Sequence, residues 1–318
     1  MIELMTQNGS TLYTPCVEDS IQLTLQRQGT PGKLSFKAVR DGAYQVQEGN
    51  PVRLTVDGTK VFYGFVFSRR QDQGNTIEVT AYDQLRYLKN KDTIAYGGCS
   101  AAQLVRRLAR DYALQCGTLD DTGYVLDSTV EKDQTLFDII GNALDNTLMA
   151  TGRLYVLYDD FGKICLRDIE SMRLGLLIDA QTGESFEYNS SIDEETYNRV
   201  KLSYDNEKTG KREIYIAQDS SHQNDWGLLQ YYEELNSPTG AAAKANALLS
   251  YYNRKTLKLS VKSALGHPGV KAGTSVAVAL DLGDTKVSQF MVVDQVTHTF
   301  SGSQHLMDLE LIGGDFGA

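Results

Sequence analysis

The stretch GNPVRLTVDGTKVFYGFVFSRRQDQGNTIEVTAYDQLRYLK, residues Gly49–Lys89, decides the fold. Apolar and polar residues alternate along it in three segments, Val52–Val56, Val61–Arg69 and Thr76–Tyr82. An Asp57-Gly58 pair separates the first two segments, and Asp-Gly between alternating segments is a strong signal for a β-hairpin. The pattern therefore predicts an antiparallel meander of three strands.

One face of this meander is expected to be buried, because side chains two apart along a strand share a face. The residues assigned to that face are Val52, Leu54, Val56, Val61, Tyr63, Phe65 and Phe67. The meander ends in a short amphipathic turn, Asp83–Leu88, which we expect to plug one end of a small barrel. Nothing in the stretch resembles a catalytic site.

Bulk composition places the chain among globular proteins. Its 318 residues allow two or three domains, and 41% hydrophobic with 23% charged residues is typical of a folded soluble chain. The sequence has no long apolar run, so we predict no membrane span. It also lacks a basic segment followed by an apolar segment at its start, so we predict no signal peptide. Four scattered cysteines without a CxxC pair are expected to be buried thiols.

The formal net charge of −10 argues against a general nucleic-acid binder. Such a protein needs a basic face that displaces counterions from phosphates. An acidic chain instead suits a surface that DNA passes without sticking.

The first ninety residues predict an all-β domain. Alternating segments also precede the meander, at Ile2–Met5, Ser20–Gln26 and Lys33–Val39. Together with the meander they make about six strands, enough to close a small barrel without exposed edges. We expect this barrel to span residues 1–92.

Residues 93–184 predict a small α+β domain inserted after the barrel. Helical spacing begins after Ser100, a plausible N-cap, and a second helix is expected over Thr135–Ala150 with Asp133 or Thr135 as its cap. A β-hairpin follows, with strands at Leu154–Tyr158 and Lys163–Arg167. Helices and a hairpin between β-rich parts indicate a separate unit.

Residues 185–318 predict a second β-barrel. Its expected strands are Asn198–Tyr204, Glu213–Ala217, Leu228–Glu234, Leu257–Lys262, Ser275–Leu280, Gln289–Phe300 and His305–Ile312. An alanine-rich segment around 238–255 predicts a helical insertion, so seven strands would surround one helix. The fold class is mainly β, and α+β overall.

Motifs that could carry chemistry are weak. Asp121-Thr122-Gly123 matches the aspartic-protease triplet, but no second copy exists, and a turn is favoured. His298 and His305 are expected to face each other across the last hairpin, with Asp308 nearby, yet their spacing does not favour a metal site. We predict no catalytic residue, no cofactor and no metal, and therefore no enzyme.

Several stretches, taken in order, resemble the XkdQ/YqbQ family of prophages and contractile phages, which is grouped with the late-control D-like hub proteins. The matching stretches are Gly58–Ser68, Ile77–Asn90, Tyr197–Val200, Asp225–Tyr231, Gly269–Gly283, Met291–Phe300 and His305–Leu311. They cover nearly the whole chain, and their order along it is more telling than any single stretch.

The resemblance implies a structural baseplate hub of a contractile tail or tail-like particle. It implies two tail-tube-like barrels per chain and a homotrimer whose six barrels form a ring between tail tube and central spike. Implied partners are the tail tube protein, the central spike, the baseplate wedges and the tape-measure protein, with no membrane and no specific nucleic-acid binding. The implied location is the virion baseplate, after assembly in the host cytoplasm.

Candidate structural and assembly residues follow from the strands and turns that resemble this family. They are Phe62, Phe65, Tyr82, Asp83, Leu85, Leu88 and Trp226. The alternative function is a tail-associated protein that degrades the cell wall or binds carbohydrate. That alternative lacks a placed pair of acid and base carboxylates and a Cys-His signature.

Overall fold

The computed structural model describes residues 1–71, 73–206, 209–235, 237–283 and 285–313. The fold is mainly β with few helices, as the sequence predicts. The strands are β1 (Ile2–Asn8), β2 (Thr11–Tyr13), β3 (Val17–Gln26), β4 (Lys33–Val39), β5 (Pro51–Val56), β6 (Thr59–Gln71), β7 (Thr76–Tyr82), β8 (Lys91–Tyr96), β9 (Cys116–Leu119), β10 (Thr129–Thr135), β11 (Tyr155–Asp159), β12 (Ile164–Asp168), β13 (Arg173–Asp179), β14 (Ser185–Ser191), β15 (Arg199–Asn206), β16 (Lys211–Gln218), β17 (Gln230–Glu234), β18 (Thr256–Leu265), β19 (Ser275–Asp281), β20 (Lys286–Ser301) and β21 (Gln304–Gly313). The helices are α1 (Ala101–Asp111), α2 (Leu136–Thr151), α3 (Ser220–Trp226) and α4 (Ala241–Tyr252), with 3₁₀ helices at Gln84–Lys89 and Ile169–Met172.

The predicted meander is present as β5, β6 and β7. Asp57 and Gly58 both have positive φ, 48° and 76°, as the tight hairpin turn requires. β5 pairs antiparallel with β6, and β6 with β7. The limits predicted for β7 agree with the structure.

The buried face of β6 is the opposite of the one predicted. Phe62 and Val66 are buried in the core, whereas Tyr63 and Phe65 are half-buried on the other face. The cause is a β-bulge: Leu54 pairs with Phe62 although its neighbour Thr55 pairs with Lys60, so Val61 is an extra residue. One extra residue moves every following side chain to the other face.

The N-terminal β unit (β1–β7) and the C-terminal β unit (β13, β14 and β18–β21) share one continuous sheet. The long strand β20 joins them, because its first part pairs with β19 and its second part with β3, while β21 runs along its other edge. Along β20, Val296 packs in the C-terminal core and Phe300 in the N-terminal core.

Each β unit wraps around its own apolar core. In the C-terminal unit, β13 and β14 are the two end strands of the strand order. Ile178 of β13 and Phe186 of β14 nevertheless pack in the same core. Among the described strands, backbone pairing follows an open path and does not close either unit into a barrel.

The α+β insert (Gln84–Asp168) has a separate core under α1 and α2. Ser100 caps α1 in a reciprocal capping box with Gln103, and Thr135 caps α2 in the same way with Asp138. Strands β11 and β12 form the predicted hairpin, with limits shifted by one residue. None of the helices in the described ranges is both long and apolar enough to cross a bilayer.

A fourth unit, the distal unit (β15–β17 with α3 and α4), replaces the expected arrangement of seven strands around one helix. β15 pairs with β16 and β17 in a three-stranded sheet apart from the main one. Val200, Leu202 and Leu248 form its core. Alternation identified these strands correctly, but it does not identify their partners. The predicted domain limits stay a prediction.

Candidate functional site at the junction of the three units

The predicted structural residues lie mainly around one junction. Phe62 is buried in the N-terminal core. Phe65 and Tyr82 are half-buried, with the ring of Phe65 5.7 Å from Tyr63 and that of Tyr82 5.6 Å from Phe67. Trp226 lies elsewhere, on α3 of the distal unit, where it stacks on His222 at 3.9 Å.

The turn after β7 does not plug a barrel. Leu85 and Leu88 are buried in the core of the insert, together with Leu136 and Ile139. The turn therefore anchors the insert to the end of β7. The apolar side chains of this turn pack with the helices of the insert, which have a core of their own. The alternation pattern of the strands does not reveal that core.

Asp83 is buried and caps the N-terminus of the 3₁₀ helix Gln84–Lys89 that forms this turn. Its Oδ1 accepts a hydrogen bond from the Leu85 amide at 3.0 Å, and its Oδ2 accepts one from the Gly32 amide at 2.8 Å. The Asp83 amide donates in return to the Gly32 carbonyl at 3.1 Å. Burial raises the pKa of Asp83 well above its usual range, and the carboxyl group of Asp159 raises it further.

Asp159 supplies a second buried carboxyl group, at the end of β11. Its Oδ1 accepts a hydrogen bond from the Gly162 amide at 2.7 Å, whereas its Oδ2 is buried without a hydrogen-bond partner among the described atoms. Burial raises the pKa of Asp159 to about 7, although the Gly162 hydrogen bond, the Gln84 side-chain amide and the Lys271 ammonium act in the opposite direction. Such a group takes up and releases a proton near neutral pH.

The hairpin that carries Asp159 packs on the outer face of β6. The ring of Phe161 lies 5.6 Å from that of Tyr63, and the Lys60 ammonium lies 5.2 Å from the Phe161 ring. Gly162 has φ +86°, and a Cβ there would lie 2.7 Å from Tyr63 Cδ1. Only glycine allows this close approach between the hairpin and β6.

The C-terminal β unit contacts the same hairpin from another side. Lys271 Nζ lies 2.6 Å from Asp160 Oδ1 and 5.1 Å from the centre of the Tyr158 ring. Gly273 has φ +89°, and a Cβ there would lie 2.6 Å from Val156 Cγ1. The β11–β12 hairpin is thus held between the two β units.

Sequence reasoning missed this carboxyl pair. An aspartate that follows a strand is typical of a cap, and two aspartates before a glycine are typical of a turn. Both local interpretations are correct, because Asp83 is a cap and Asp159 bonds within its turn. Their burial comes from packing between distant segments, which leaves no local signal.

The predicted histidine pair does form, in a third place. His298 Nε2 lies 3.1 Å from the Val270 carbonyl, which only accepts, so this nitrogen carries the proton. His298 Nδ1 therefore accepts from His305 Nε2, 2.9 Å away. Both nitrogens of His298 are occupied and none is free for a metal; among the described residues no cluster of three metal-binding side chains exists.

The Asp121-Thr122-Gly123 triplet forms a turn, as the sequence favours. The Gly123 amide donates to Asp121 Oδ1 at 3.2 Å, and Gly123 has φ +66°. This local bond is typical of a loop aspartate.

Comparison with known proteins places the fold. The profile of the YQBQ-like family matches residues 21–312. The phage-like element PBSX protein XkdQ of Bacillus subtilis (strain 168) is 32% identical, with 98% of this chain and 97% of XkdQ covered.

Solved structures agree on the fold. The 43 kDa tail protein of prophage MuSo2 from Shewanella oneidensis has a TM-score of 0.73 at 12% identity, over 99% of each chain. The E. coli c3393 protein, a type VI secretion component described as similar to the T4 tail proteins gp27 and gp5, has a TM-score of 0.59 at 13% identity, over 99% of this chain and 78% of that one. The fold is that of phage tail proteins, and the chain belongs to the YQBQ-like family.

Proposed function

We propose that this protein is a structural baseplate hub of a contractile phage tail or a phage-tail-like particle. Three copies would form a ring of six β units that joins the tail tube to the central spike. The observation that carries the proposal is β20, which passes through both cores and fixes two β units side by side in one chain. Three such chains make a pseudo-sixfold ring. The likeness to prophage tail proteins supports the same role.

The ring contact that we propose is an exposed apolar row on the outer face of the C-terminal β unit. Leu177, Ala277 and Phe290 are aligned in register across β13, β19 and β20. Leu177 is 47% exposed and Phe290 49% exposed. Adjacent exposed apolar side chains are typical of surfaces that associate.

The remaining features of the proposal are partners and place. We propose contacts with the tail tube, spike, wedge and tape-measure proteins, at the virion baseplate, after assembly in the host cytoplasm. A net charge of −10 supports a lumen that DNA passes without binding. We propose no enzymatic activity, and no observation favours a cell-wall-degrading or carbohydrate-binding role.

The role proposed for Phe62, Phe65, Tyr82, Asp83, Leu85, Leu88 and Trp226 is support of this assembly. Asp83, Leu85 and Leu88 lie where the insert meets the N-terminal β unit, so they would act by keeping the insert in place. Phe62, Phe65 and Tyr82 belong to β6 and β7 and would act by stabilising the strands that carry this junction. Trp226 would act through the distal unit, in which it stacks on His222.

Light scattering tests the oligomeric state. We expect the chain mixed with its spike to give an assembly with three copies of this 35.2 kDa chain. Phe290→Asp is expected to remain a folded monomer, because a charge would be desolvated in the contact. Val130→Asp, at a residue of the insert that is 55% exposed, is the matched control and is expected to assemble. Monomers alone in the wild-type mixture would contradict the proposal.

A further inference from the structure

We infer that Asp83 and Asp159 form a proton-controlled latch, which holds the β11–β12 hairpin between the two β units and releases it as the pH rises. The inference concerns the isolated chain and does not depend on the proposed assembly. It rests on where the two carboxyl groups lie, on what each one bonds, and on what the hairpin holds together.

The two carboxyl groups belong to different units. Asp83 is bonded through both oxygens and its own amide to Gly32 and Leu85, so it cannot move without opening the end of the N-terminal β unit. Asp159 is bonded through one oxygen to Gly162 in its hairpin. Its second oxygen is buried and makes no hydrogen bond of normal geometry among the described atoms, because the nearby Gln84 side-chain amide, which lowers the pKa of Asp159, donates to the Gln115 carbonyl at 3.1 Å. A buried carboxylate oxygen without a donor is unfavourable when ionised, and a proton removes that cost.

The surrounding charges do not neutralise a second negative charge. The cation that lowers the pKa of Asp159 is Lys271, and its ammonium already lies 2.6 Å from Asp160. Other titratable groups near this hairpin include Tyr158 and Cys165. Two further cations are already engaged, since Lys60 lies over the Phe161 ring at 5.2 Å and Arg167 is paired with Asp120 at 3.1 Å. Ionisation of both Asp83 and Asp159 therefore places two negative charges in one buried site.

The direction of the pH effect follows from the raised pKa values. Asp159 keeps its proton in the closed chain up to a pKa of about 7, whereas an exposed aspartate has a pKa of 3.8. Between these values the closed state binds a proton that the open state lacks. The stability that this proton supplies is complete below about pH 4 and is lost as the pH rises through 7.

Release of the hairpin would loosen the insert from both β units, which stay joined to each other through the pairing of β20 with β3. Asp159 lies in the hairpin beside Phe161, which packs on Tyr63 of β6, and beside Asp160, which is paired with Lys271. Opening at Asp159 therefore loosens the contact of the insert with both β units at once. The buried pair therefore controls the contacts of the insert with both β units and not the position of a single loop.

Hydrogen exchange of the Gly162 amide, which donates to Asp159, tests the latch. We expect its protection factor to fall about tenfold per pH unit between pH 5 and pH 7, and to level off above pH 7. Asp159→Asn keeps the acceptor for Gly162 but does not titrate, so its protection factor is expected to be constant over this range. The Leu202 amide in the distal unit serves as the internal control.

A second variant, Lys271→Gln, tests the direction in which the pH profile moves. Lys271 lowers the pKa of Asp159, so Lys271→Gln is expected to move the loss of Gly162 protection to higher pH. The inference is overturned if wild type and Asp159→Asn show the same pH profile, or if Leu202 follows Gly162. It is also overturned if Lys271→Gln moves the profile to lower pH.

Discussion

Replacing Leu88 by aspartate is expected to unfold the α+β insert. Leu88 is 1% exposed in the core of the insert, so the new carboxylate would be buried without a partner. The loss of apolar packing and the burial of a charge together cost at least about 4 kcal/mol. That is a large part of the roughly 5–15 kcal/mol by which domains are stable. Urea denaturation followed by circular dichroism measures the change.

The matched control for this substitution is Leu228→Asp. Leu228 is 55% exposed, so the same chemical change there is expected to alter the free energy of unfolding by less than about 0.5 kcal/mol. Leu85→Asp is expected to resemble Leu88→Asp, because Leu85 is 4% exposed in the same core. Native stability of Leu88→Asp would show that the turn after β7 does not anchor the insert.

His298 is expected to make the protein sensitive to acid. Burial, and next the neighbouring His305, lower the pKa of His298 to about 3, against an ordinary value of 6.5. Below pH 6.5 the unfolded chain binds a proton that the folded chain does not bind until about pH 3. This histidine is therefore expected to reduce the free energy of unfolding by about 3 kcal/mol between pH 7 and pH 4.

His298→Gln isolates this contribution. A glutamine amide can still donate to the Val270 carbonyl, but it does not titrate. The difference in stability between the two proteins is expected to move in favour of the variant as the pH falls from 7 to 4. The comparison is needed because Asp159 changes stability in the opposite sense over the same range. Parallel pH profiles from chemical denaturation would contradict the expectation, and His222→Gln controls for the loss of a histidine elsewhere.

Local structure was largely predictable from residues close in sequence. Lys33–Val39 and Thr76–Tyr82 begin and end as their alternation indicates. Ser100 and Thr135 cap their helices because their side-chain oxygens accept from backbone amides three residues on, a bond that depends on local sequence alone.

Which strands pair with each other, and in which register, was not predictable from residues close in sequence. β3 pairs with β20, which is distant in the chain, and alternation is the same whichever strand lies alongside. The extra residue Val61 reverses the faces of β6, although its type is ordinary for a strand. The candidate site depends on both kinds of information, because Asp83 and Asp159 meet only once three units have packed.

The order in which the strands are synthesised has a consequence for β3, which pairs with β20 in the finished protein. β3 leaves the ribosome well before β20, the strand that covers its edge, because 16 strands lie between the two in the chain. At about 5–20 residues per second, the edge of β3 waits roughly a quarter of a minute to one minute for its partner. During that time Leu23, which is fully buried in the finished protein, lies on an unpaired strand edge of the kind that aggregates. The nascent chain is therefore vulnerable at β3 until β20 has been translated.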